Sequence, residues 1–384
     1  MRRSIMLFGM TLISGVLISC YGQPADETPP HLLGRPANIA AQDTSPLWNA
    51  NGERLLITGT VYASDGMTPV PGAIIYYYQT NTGGVYPQQS GHPRNMPPNA
   101  QGHSHGHIRG WAKSDRNGVY KIYTVRPGAY PGRDEPAHIH LTVSEPGEKL
   151  LYYIDDVVFD DDRLMTTRKR LSRENRAGSG IVRLVNRNGL RIGERNIILG
   201  LNIPDHPSRS ERRRSGRSIG EEVYSFTPHH AWGEDKGSRA CPVCKYGRFH
   251  GALYFVGNHP DWTEIRSWLR FLETESVKRG DKLKVYFVYG NENGYSEEAR
   301  TKELEALGKE LRLEKLALTF VPSFLDTETD VHLNKIDQSV ENTFILYKRS
   351  NIIGSYADLR ATPENFRMIS DRFDQTINEY FEPE

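Results

Sequence analysis

Residues 136–144 read Pro-Ala-His-Ile-His-Leu-Thr-Val-Ser, and the fold prediction starts from this stretch. From His138 to Ser144 it is rich in residues that favour β-strands and carries no strong helix signal. Side chains two positions apart share one face of a strand, so we expect His138 and His140 to point into the same space while Ile139 packs on the other face. Because His is the commonest metal ligand among side chains, this pair is a natural start for a metal site.

Similar short segments, punctuated by Gly and Pro, occur on both sides of this stretch. The clearest strand candidates are Leu55–Tyr62, Ala73–Thr80, Val119–Thr124 and Ile197–Leu201. No helical period of apolar residues appears between residues 55 and 205, which predicts an all-β, antiparallel sandwich or barrel. The stretch Gln88–His107 is rich in Gly, Pro, Asn and His, and we predict a long loop there.

After residue 222 the apolar period becomes helical. Apolar residues share one helical face in two places: Ile265, Trp268, Leu269 and Leu272, and then Phe366, Ile369, Phe373 and Ile377. A strand candidate at 252–256 precedes them, and between them lie strand candidates at 283–289, 316–321 and 343–347 and a helix candidate at 296–311. The alternation predicts an α/β domain separate from the sandwich.

The predicted organisation therefore has five parts. They are a signal at 1–19, a tether at 20–50, a β-sandwich at 51–205, a basic linker at 206–221 and an α/β domain at 222–384. The linker region carries five arginines among Ser and Gly with nothing to bury, so we expect a solvated connector, with contact to anionic lipid as the alternative.

The N-terminal residues Met1–Gln23 resemble an export signal. Arg2 and Arg3 precede an apolar run that is too short to span a bilayer. Ser19 before Cys20 resembles a bacterial lipoprotein signal, which implies cleavage before Cys20 and acylation of its thiol; an ordinary secretory signal is the alternative. The resemblance implies a protein held by lipid in the bacterial envelope, on the outer side of the cytoplasmic membrane or in the outer membrane.

The overall charge is balanced. Lys plus Arg number 48 against 47 Asp plus Glu, so electrostatics gives no reason to expect a nucleic-acid partner. Three cysteines in 384 residues exclude a disulfide scaffold.

Six motifs follow one another in the first half of the chain: Leu56–Tyr62 (Leu-Ile-Thr-Gly-Thr-Val-Tyr), Val70–Ala73, Gln79–Tyr86, Ser114–Tyr120, Arg126–Tyr130 and Pro136–His140. In this order they resemble the intradiol ring-cleavage dioxygenases, the family of protocatechuate and catechol dioxygenases, over about residues 55–205. The resemblance implies a non-haem ferric iron, Fe(3+), held by Tyr86, Tyr130, His138 and His140. It implies a small aromatic diol and dioxygen as substrates, with cleavage between the two hydroxylated carbons, and Tyr130 as the residue that accepts a substrate proton.

The donor set agrees with that implication. Ferric iron is a hard acid that favours anionic oxygen, whereas two imidazoles alone suit divalent metals equally well. A free Tyr has a pKa of about 10, and a trivalent cation stabilises its phenolate. Two phenolates and two imidazoles leave positions for hydroxide and for a bidentate catechol.

Two positions depart from the family pattern. The family usually places an Arg three residues before the first His, and here that residue is Glu135; we expect Arg133, behind a two-residue insertion, to stabilise developing charge on the substrate. The glutamine usual on the next strand is not recognisable in Leu150–Asp156. Arg109, which precedes Gly110, is a further candidate for substrate binding.

The alternative to an enzyme is a non-catalytic, lipid-anchored surface binding module. Several of the same turns also occur in transthyretin-like sandwich domains without catalysis. Three alternating histidines, His103, His105 and His107, suit either a second metal or, as we expect, a loop near the mouth of the cleft.

Cys241-Pro-Val-Cys244 has the spacing of a redox pair, and residues 222–384 resemble the thioredoxin-like superfamily in the order of their elements. A catalytic pair would follow the first strand and open the first helix, where the thiol pKa is lowered. Here the pair precedes the first strand, and Asn342 stands where that superfamily has a cis-proline. We expect a structural or regulatory disulfide; a thiol catalyst and half a zinc site are the alternatives.

Overall fold

The computed structural model describes residues 28–208, 214–378 and 380. The predicted signal, Cys20 and the middle of the predicted linker lie outside these residues. No helix among the described residues is both long and apolar enough to cross a membrane.

The first half of the chain forms two β-sheets with one short helix, α1 (Thr167–Leu171). A 3-10 turn covers Pro146–Glu148. The strands are β1 (Gln42–Thr44), β2 (Arg54–Tyr62), β3 (Ile74–Gln79), β4 (Arg109–Lys113), β5 (Val119–Val125), β6 (His138–Ser144), β7 (Leu151–Phe159), β8 (Ile181–Val182), β9 (Val185–Arg187), β10 (Leu190–Glu194) and β11 (Ile197–Ile198).

The first sheet has the order β1-β5-β2-β10-β9, with β11 also paired to β2, and the second sheet has the order β4-β3-β6-β7-β8. The two sheets share one core, to which the first contributes Leu55 and Ile122 and the second contributes Ile75 and Leu141. The sheet-rich fold predicted for this half is therefore present. The prediction of a purely antiparallel arrangement is wrong, because β1–β5, β2–β10, β2–β11 and β7–β8 are parallel pairs. Neither helix nor strand occurs between β3 and β4, as expected for a long loop.

Strand β6 divides its side chains between two environments. Ile139 and Leu141 lie in the core between the sheets. His138 and His140 therefore project from the outer face of the second sheet, since neighbouring residues of a strand point to opposite faces. The predicted separation of the histidine pair from Ile139 is confirmed.

The second half of the chain forms a third sheet with four helices. The helices are α2 (Pro242–Tyr246), α3 (Trp262–Arg279), α4 (Glu297–Leu311) and α5 (Pro363–Gln375), and 3-10 turns cover Gly280–Lys282 and Val331–Asn334. The strands are β12 (His229–Trp232), β13 (His250–Val256), β14 (Leu283–Tyr289), β15 (Ala317–Phe320), β16 (Thr343–Lys348) and β17 (Asn351–Ala357). The predicted alternation of strands and helices is present, with β12 as an additional strand.

The third sheet has the order β12-β15-β14-β13-β16-β17. Residues on both of its faces are buried in hydrophobic cores. Strands β13, β14 and β15 are parallel, and the other neighbouring pairs are antiparallel. Helices α3, α4 and α5 pack on one face through residues such as Trp268, Leu304 and Phe373. The opposite face is covered by segments outside the long helices, including Val223 and Val331.

In the later described part of the predicted linker, residues 214–221, Arg214 is exposed and the other residues are buried or half-buried. Arg217 is only 6% exposed, lies over the Tyr224 ring at 4.4 Å and pairs with Glu221. Ile219 belongs to the core on the face of the third sheet opposite α3, α4 and α5. The expectation of a solvated connector is therefore wrong for residues 215–221, because Arg217 has partners in Glu221 and Tyr224 and Ile219 packs against residues of the third sheet.

Candidate metal centre

The two tyrosines of the predicted site lie on two loops, and hydrogen bonds to backbone atoms hold these loops together. Gly128 N donates to the Asn81 carbonyl at 2.9 Å, and the Thr80 hydroxyl donates to the Gly128 carbonyl at 2.8 Å. A Cβ at Gly84 would lie 2.0 Å from the Ala129 carbonyl oxygen, and a Cβ at Gly128 would lie 2.4 Å from that of Thr82. The glycines that precede each tyrosine are therefore required for the loops to approach this closely.

Four potential metal-ligand atoms lie close together where these loops approach the first residues of β6. The Tyr86 hydroxyl lies 2.5 Å from the Tyr130 hydroxyl and 3.0 Å from His140 Nε2. His138 Nε2 lies 3.2 Å from the Tyr130 hydroxyl and 3.1 Å from His140 Nε2. The structure thus brings together all four side chains that the sequence analysis singled out as ligands.

The second nitrogen of each histidine has a partner of its own. His138 Nδ1 lies 2.8 Å from the Pro136 carbonyl, and His140 Nδ1 lies 3.1 Å from Asp156 Oδ1. A carbonyl or carboxylate accepts the Nδ1 proton, which leaves the Nε2 lone pairs of both rings directed at each other. The two Nε2 lone pairs and the two tyrosine oxygens therefore surround one point, where a cation could be coordinated by all four atoms. These residues therefore fit the ferric ion that the sequence resemblance implies.

Asp156 reaches His140 through an irregularity in the sheet. The register between β6 and β7 shifts between Ile139 and Leu141, so both Asp155 and Asp156 face His140 across the ladder. Such a bulge redirects one side chain. Asp156 turns to His140, while Asp155 accepts from the backbone N–H of Asn175 at 3.1 Å.

Asp156 was missed in the sequence analysis, which looked for a glutamine on this strand. Two adjacent carboxylates inside an otherwise apolar strand were the available signal. The group His138, His140 and Asp156 is the one set of three metal-binding side chain types found among the described residues.

Burial sets the protonation of the tyrosines. Burial raises the pKa of Tyr86 far above its usual value, and the hydrogen bond to Tyr130 adds to the shift. Burial also raises the pKa of Tyr130, against a smaller opposing effect of the hydrogen bond from Tyr86. A strongly charged cation at this point is therefore needed to hold either side chain as phenolate at neutral pH.

A stack of rings supports His140 from outside. Tyr78 stacks on His140 with ring centroids 4.4 Å apart, and His105 stacks on Tyr78 at 3.6 Å. The Tyr76 hydroxyl fixes His105 by a 2.8 Å hydrogen bond to Nδ1. Burial lowers the pKa of His105 to about 3, so the ring is neutral at physiological pH.

Within the described part of the chain, the other histidines of this loop belong to no group of three or more metal-binding side chains. His107 Nδ1 lies 2.8 Å from the Pro87 carbonyl, and His103 is exposed. This placement agrees with the expectation that these histidines are loop residues. His105 also fixes the loop to Tyr78, which in turn stacks on His140.

A cleft of about 370 Å³ lies beside His138 and Asp156. This volume is at the lower end of the range of small-molecule sites, ~300–1,000 Å³. Arg133 and Glu135 both line the cleft, and the Arg133 guanidinium lies 5.7 Å from the centre of the Tyr130 ring. Arg173, which also lines the cleft, donates to the Asp156 carbonyl at 3.0 Å.

Arg109 lies elsewhere, and its expected role in substrate binding is wrong. It is fully buried and donates to the carbonyls of Pro30, Leu33 and Arg94 and to the Tyr76 hydroxyl. The guanidinium therefore holds the segment around residues 30–33 against the second sheet. Sequence reasoning had no means of placing that segment.

Cys241 and Cys244 form a disulfide in the structure. Cys241 is the N-cap of the short helix α2, and its sulfur accepts from the Cys244 N–H at 3.1 Å. The pair precedes β13, as the sequence analysis expected, and no cis peptide bond occurs among the described residues. No described metal-binding group includes either cysteine.

Comparison with known proteins assigns relatives to the first half of the chain. Residues 35–178 match the family model described as "Dioxygenase". Catechol 1,2-dioxygenase of Acinetobacter baylyi is 27% identical over 165 residues, which cover 38% of this chain and 50% of the relative. The protocatechuate 3,4-dioxygenase beta chain of Burkholderia cepacia is 32% identical over 98 residues, which cover 24% of this chain and 39% of the relative.

Solved structures with similarity include an intradiol ring-cleavage dioxygenase from Tetranychus urticae, at 18% identity and a TM-score of 0.31, covering 44% of this chain and 90% of that one. Mercury-inhibited catechol 1,2-dioxygenase from Acinetobacter sp. ADP1 is 19% identical with a TM-score of 0.31, covering 45% of this chain and 62% of that one. The matched part of this chain spans half or less of the curated relatives. The family match and those relatives support the intradiol dioxygenase family for this half.

Proposed function

We propose that the chain is a non-haem ferric dioxygenase that cleaves a catechol-type aromatic ring between its two hydroxylated carbons with dioxygen. The observation that carries this proposal is the meeting of the Tyr86 and Tyr130 hydroxyls with the Nε2 atoms of His138 and His140, since five of their six separations are 2.5–3.2 Å. When bound there, ferric iron would act as a Lewis acid and as a template for the diol.

The protein's own residues have separate roles in this reaction. Tyr130 lies beside Arg133 at the cleft, so its phenolate oxygen, which bound ferric iron would stabilise, is the group that would accept a proton from the substrate diol and become a neutral phenol. The Asp156 carboxylate and the Pro136 carbonyl keep both Nε2 atoms facing the centre. Tyr78 prevents the His140 ring from rotating outward.

Arg133 is the residue that we assign to charge stabilisation on the substrate. Its guanidinium lines the cleft, next to the Tyr130 ring, and no described carboxylate forms an ion pair with it within 4.0 Å. Glu135, on the same loop, gives the cleft a negative group that favours a neutral diol over an aromatic acid.

The test uses the full-length protein loaded with ferric iron. A bound tyrosinate gives a visible charge-transfer band, and oxygen uptake with a panel of catechols measures turnover. We expect the band to weaken and shift in Tyr86→Phe and in Tyr130→Phe, with loss of oxygen uptake. Tyr153→Phe, an exposed tyrosine on β7, is the matched control and is expected to leave both unchanged.

A protein that stays colourless after full iron loading would contradict the proposal. So would a band that is the same in both tyrosine variants as in the unmodified protein. Either result would favour the non-catalytic binding module that the sequence analysis left open.

Two further proposals depend on the sequence pattern. We propose that residues 222–384 are a thioredoxin-like domain, supported by the order of strands and helices. We also propose that Cys20 carries a lipid that holds the protein in the bacterial envelope. Incorporation of labelled palmitate that is lost in Cys20→Ser tests the second proposal.

A further inference from the structure

Residues 165–173 form one wall of the cleft beside the metal centre, and apolar packing does not hold this wall in place. Its members in the cleft lining are Met165, Lys169, Ser172 and Arg173, which belong to α1 and its flanks. No residue of the segment is fully buried, and helix α1 within it has only five residues. Because an isolated helix of this length is unstable in water, contacts with the rest of the protein must fix the position of the wall.

Two ionic contacts join this wall to its own half of the chain. Lys169 Nζ donates to the Asp134 carbonyl at 2.7 Å and pairs with the Asp134 carboxylate at 2.9 Å. Arg173 Nε pairs with the Asp155 carboxylate at 3.3 Å, and its Nη2 donates to the Asp156 carbonyl. The wall therefore connects the loop before β6 with strand β7.

A third ionic contact comes from the second half of the chain. Arg170 presents one guanidinium nitrogen to the Asp160 carboxylate of its own half and another to the Glu222 carboxylate. Glu222 is 5% exposed, and its backbone forms an isolated β-bridge with Asn351 at the start of β17. Arg183 pairs with the second oxygen of Asp160 at 3.2 Å. This cluster of two bases and two carboxylates is balanced in charge, and one of its carboxylates is supplied by the other half.

The three contacts differ in how far they are shielded from water. The Glu222 side chain is 7% exposed, whereas that of Asp134 is 79% exposed. Exposed ion pairs contribute little, but loss of one partner of a buried pair leaves an uncompensated charge in the interior. The planar guanidinium fork of Arg170 also fixes its two carboxylates relative to each other. Glu222 is therefore a strong anchor of the cleft wall, although it belongs to the other half of the chain.

We propose that Glu222 is a positioning residue for the cleft: through Arg170 it holds residues 165–173 in place, so that the second half of the chain completes the substrate site of the first. The effect on turnover rests on the proposed dioxygenase function. The positioning itself is a property of the fold, and it can be measured without iron or substrate.

Hydrogen–deuterium exchange on the full-length protein, read by mass spectrometry, tests the positioning. The backbone N–H groups of Arg170 and Ser172 donate to the carbonyls of Thr166 and Arg168, so their exchange reports on α1. In Glu222→Gln we expect peptides that cover residues 163–173 to exchange roughly 10-fold faster, because a charged hydrogen bond is replaced by a neutral one.

Glu194→Gln is the matched control. It also removes a buried carboxylate that pairs across the two halves, with Lys348, and Glu194 is not among the residues that line the cleft. We expect this variant to leave the exchange of residues 163–173 as it is in the unmodified protein.

Arg170→Lys is the second variant, because it keeps the charge balance of the cluster and so protects folding. A lysine ammonium cannot span the two carboxylates as the guanidinium fork does, so we expect faster exchange of the same peptides, by a smaller factor than in Glu222→Gln. In the iron-loaded protein we expect both variants to raise KM for a catechol several-fold and to change kcat less, since binding of the diol is weakened while the metal ligands stay in place.

Three results would overturn the proposal. The first is unchanged exchange of residues 163–173 in both Glu222→Gln and Arg170→Lys. The second is an equal increase in Glu194→Gln, which would show that loss of any ion pair between the halves loosens this wall. The third is an active protein whose KM is the same in both variants. Faster exchange confined to the two variants, in a protein that turns over no catechol, would support the positioning and contradict the proposed function, so the two failures are distinguishable.

Discussion

Replacement of Gly128 by alanine tests how the metal centre is assembled. A Cβ at this position would lie 2.4 Å from the Thr82 carbonyl oxygen and 2.8 Å from Gly84 N, and both are backbone atoms that cannot rotate away. Ordinary contact begins near 3.4 Å, so the two tyrosine loops must separate by about 1 Å.

The magnitude follows from these contacts. Forcing a methyl group into a packed site costs typically 1–3 kcal/mol. The separation also stretches the Gly128 N–H bond to the Asn81 carbonyl and the Thr80 bond to the Gly128 carbonyl, each worth about 1 kcal/mol. We expect Gly128→Ala to lower the free energy of unfolding by roughly 2–4 kcal/mol.

The same displacement acts on the metal centre. The Tyr86 and Tyr130 hydroxyls, 2.5 Å apart, would no longer reach one ion together, since such sites tolerate only about 0.5 Å of error. Urea unfolding measures the stability, and the visible band of the iron-loaded protein measures the tyrosine ligation. We expect the band to be weakened together with the stability.

Gly132→Ala is the matched control in the same loop, between β5 and β6. Gly132 has φ +71° with open space around its Cβ position, so alanine there adds backbone strain of about 1 kcal/mol but no clash. We expect the iron-loaded Gly132→Ala variant to show the same visible band as the unmodified protein. If Gly128→Ala kept the full band and unfolded within 0.5 kcal/mol of the unmodified protein, the account of the joined loops would be refuted.

Three further predictions concern separate parts of the protein. Asp156→Asn should weaken iron binding roughly 10–100-fold in competition with a chelator, because His140 loses its charged partner; unchanged affinity would exclude this role. Burial lowers the pKa of His250 to about 3 in the folded protein, whereas its pKa in the unfolded chain is about 6.5. Between these two pH values the unfolded chain binds one more proton, so the free energy of unfolding should fall by about 1.4 kcal/mol for each pH unit below pH 6.5. His250→Gln should flatten that fall in urea unfolding measured from pH 7 to 4, and an equally steep fall would contradict the assignment. Cys241→Ser should lower the free energy of unfolding by ~2 kcal/mol and leave insulin reduction unchanged; a loss of reductase activity would instead identify a thiol catalyst.

The sequence predicted those features that depend on local pattern. Alternation of side chains along β6 was enough to place His138 and His140 on one face, and the helical period was enough to locate α3 and α5. Motif order then selected Tyr86 and Tyr130 from among 20 tyrosines.

Features that depend on contacts between distant segments were not predicted. The bulge that turns Asp156 to His140 exists only in the pairing of β6 with β7. The burial of Arg109 depends on carbonyls nearly 80 positions earlier, and the burial of Ile219 depends on residues of the third sheet. Neither periodicity nor composition records such pairings.

The ionic contacts across the two halves have a practical consequence for dissecting the molecule. Arg170 in the first half pairs with Glu222 in the second, and Glu194 in the first pairs with Lys348 in the second. If the chain were cut between residues 205 and 222, each fragment would lose the oppositely charged partners of these side chains. Charged side chains that are buried in the whole protein would then be exposed and unpaired. Fragments made for crystallisation or NMR would therefore need neutral substitutions at these charged positions in the same design. Poor solubility of an unsubstituted fragment would reflect its unpaired charges and would not show that the half cannot fold alone.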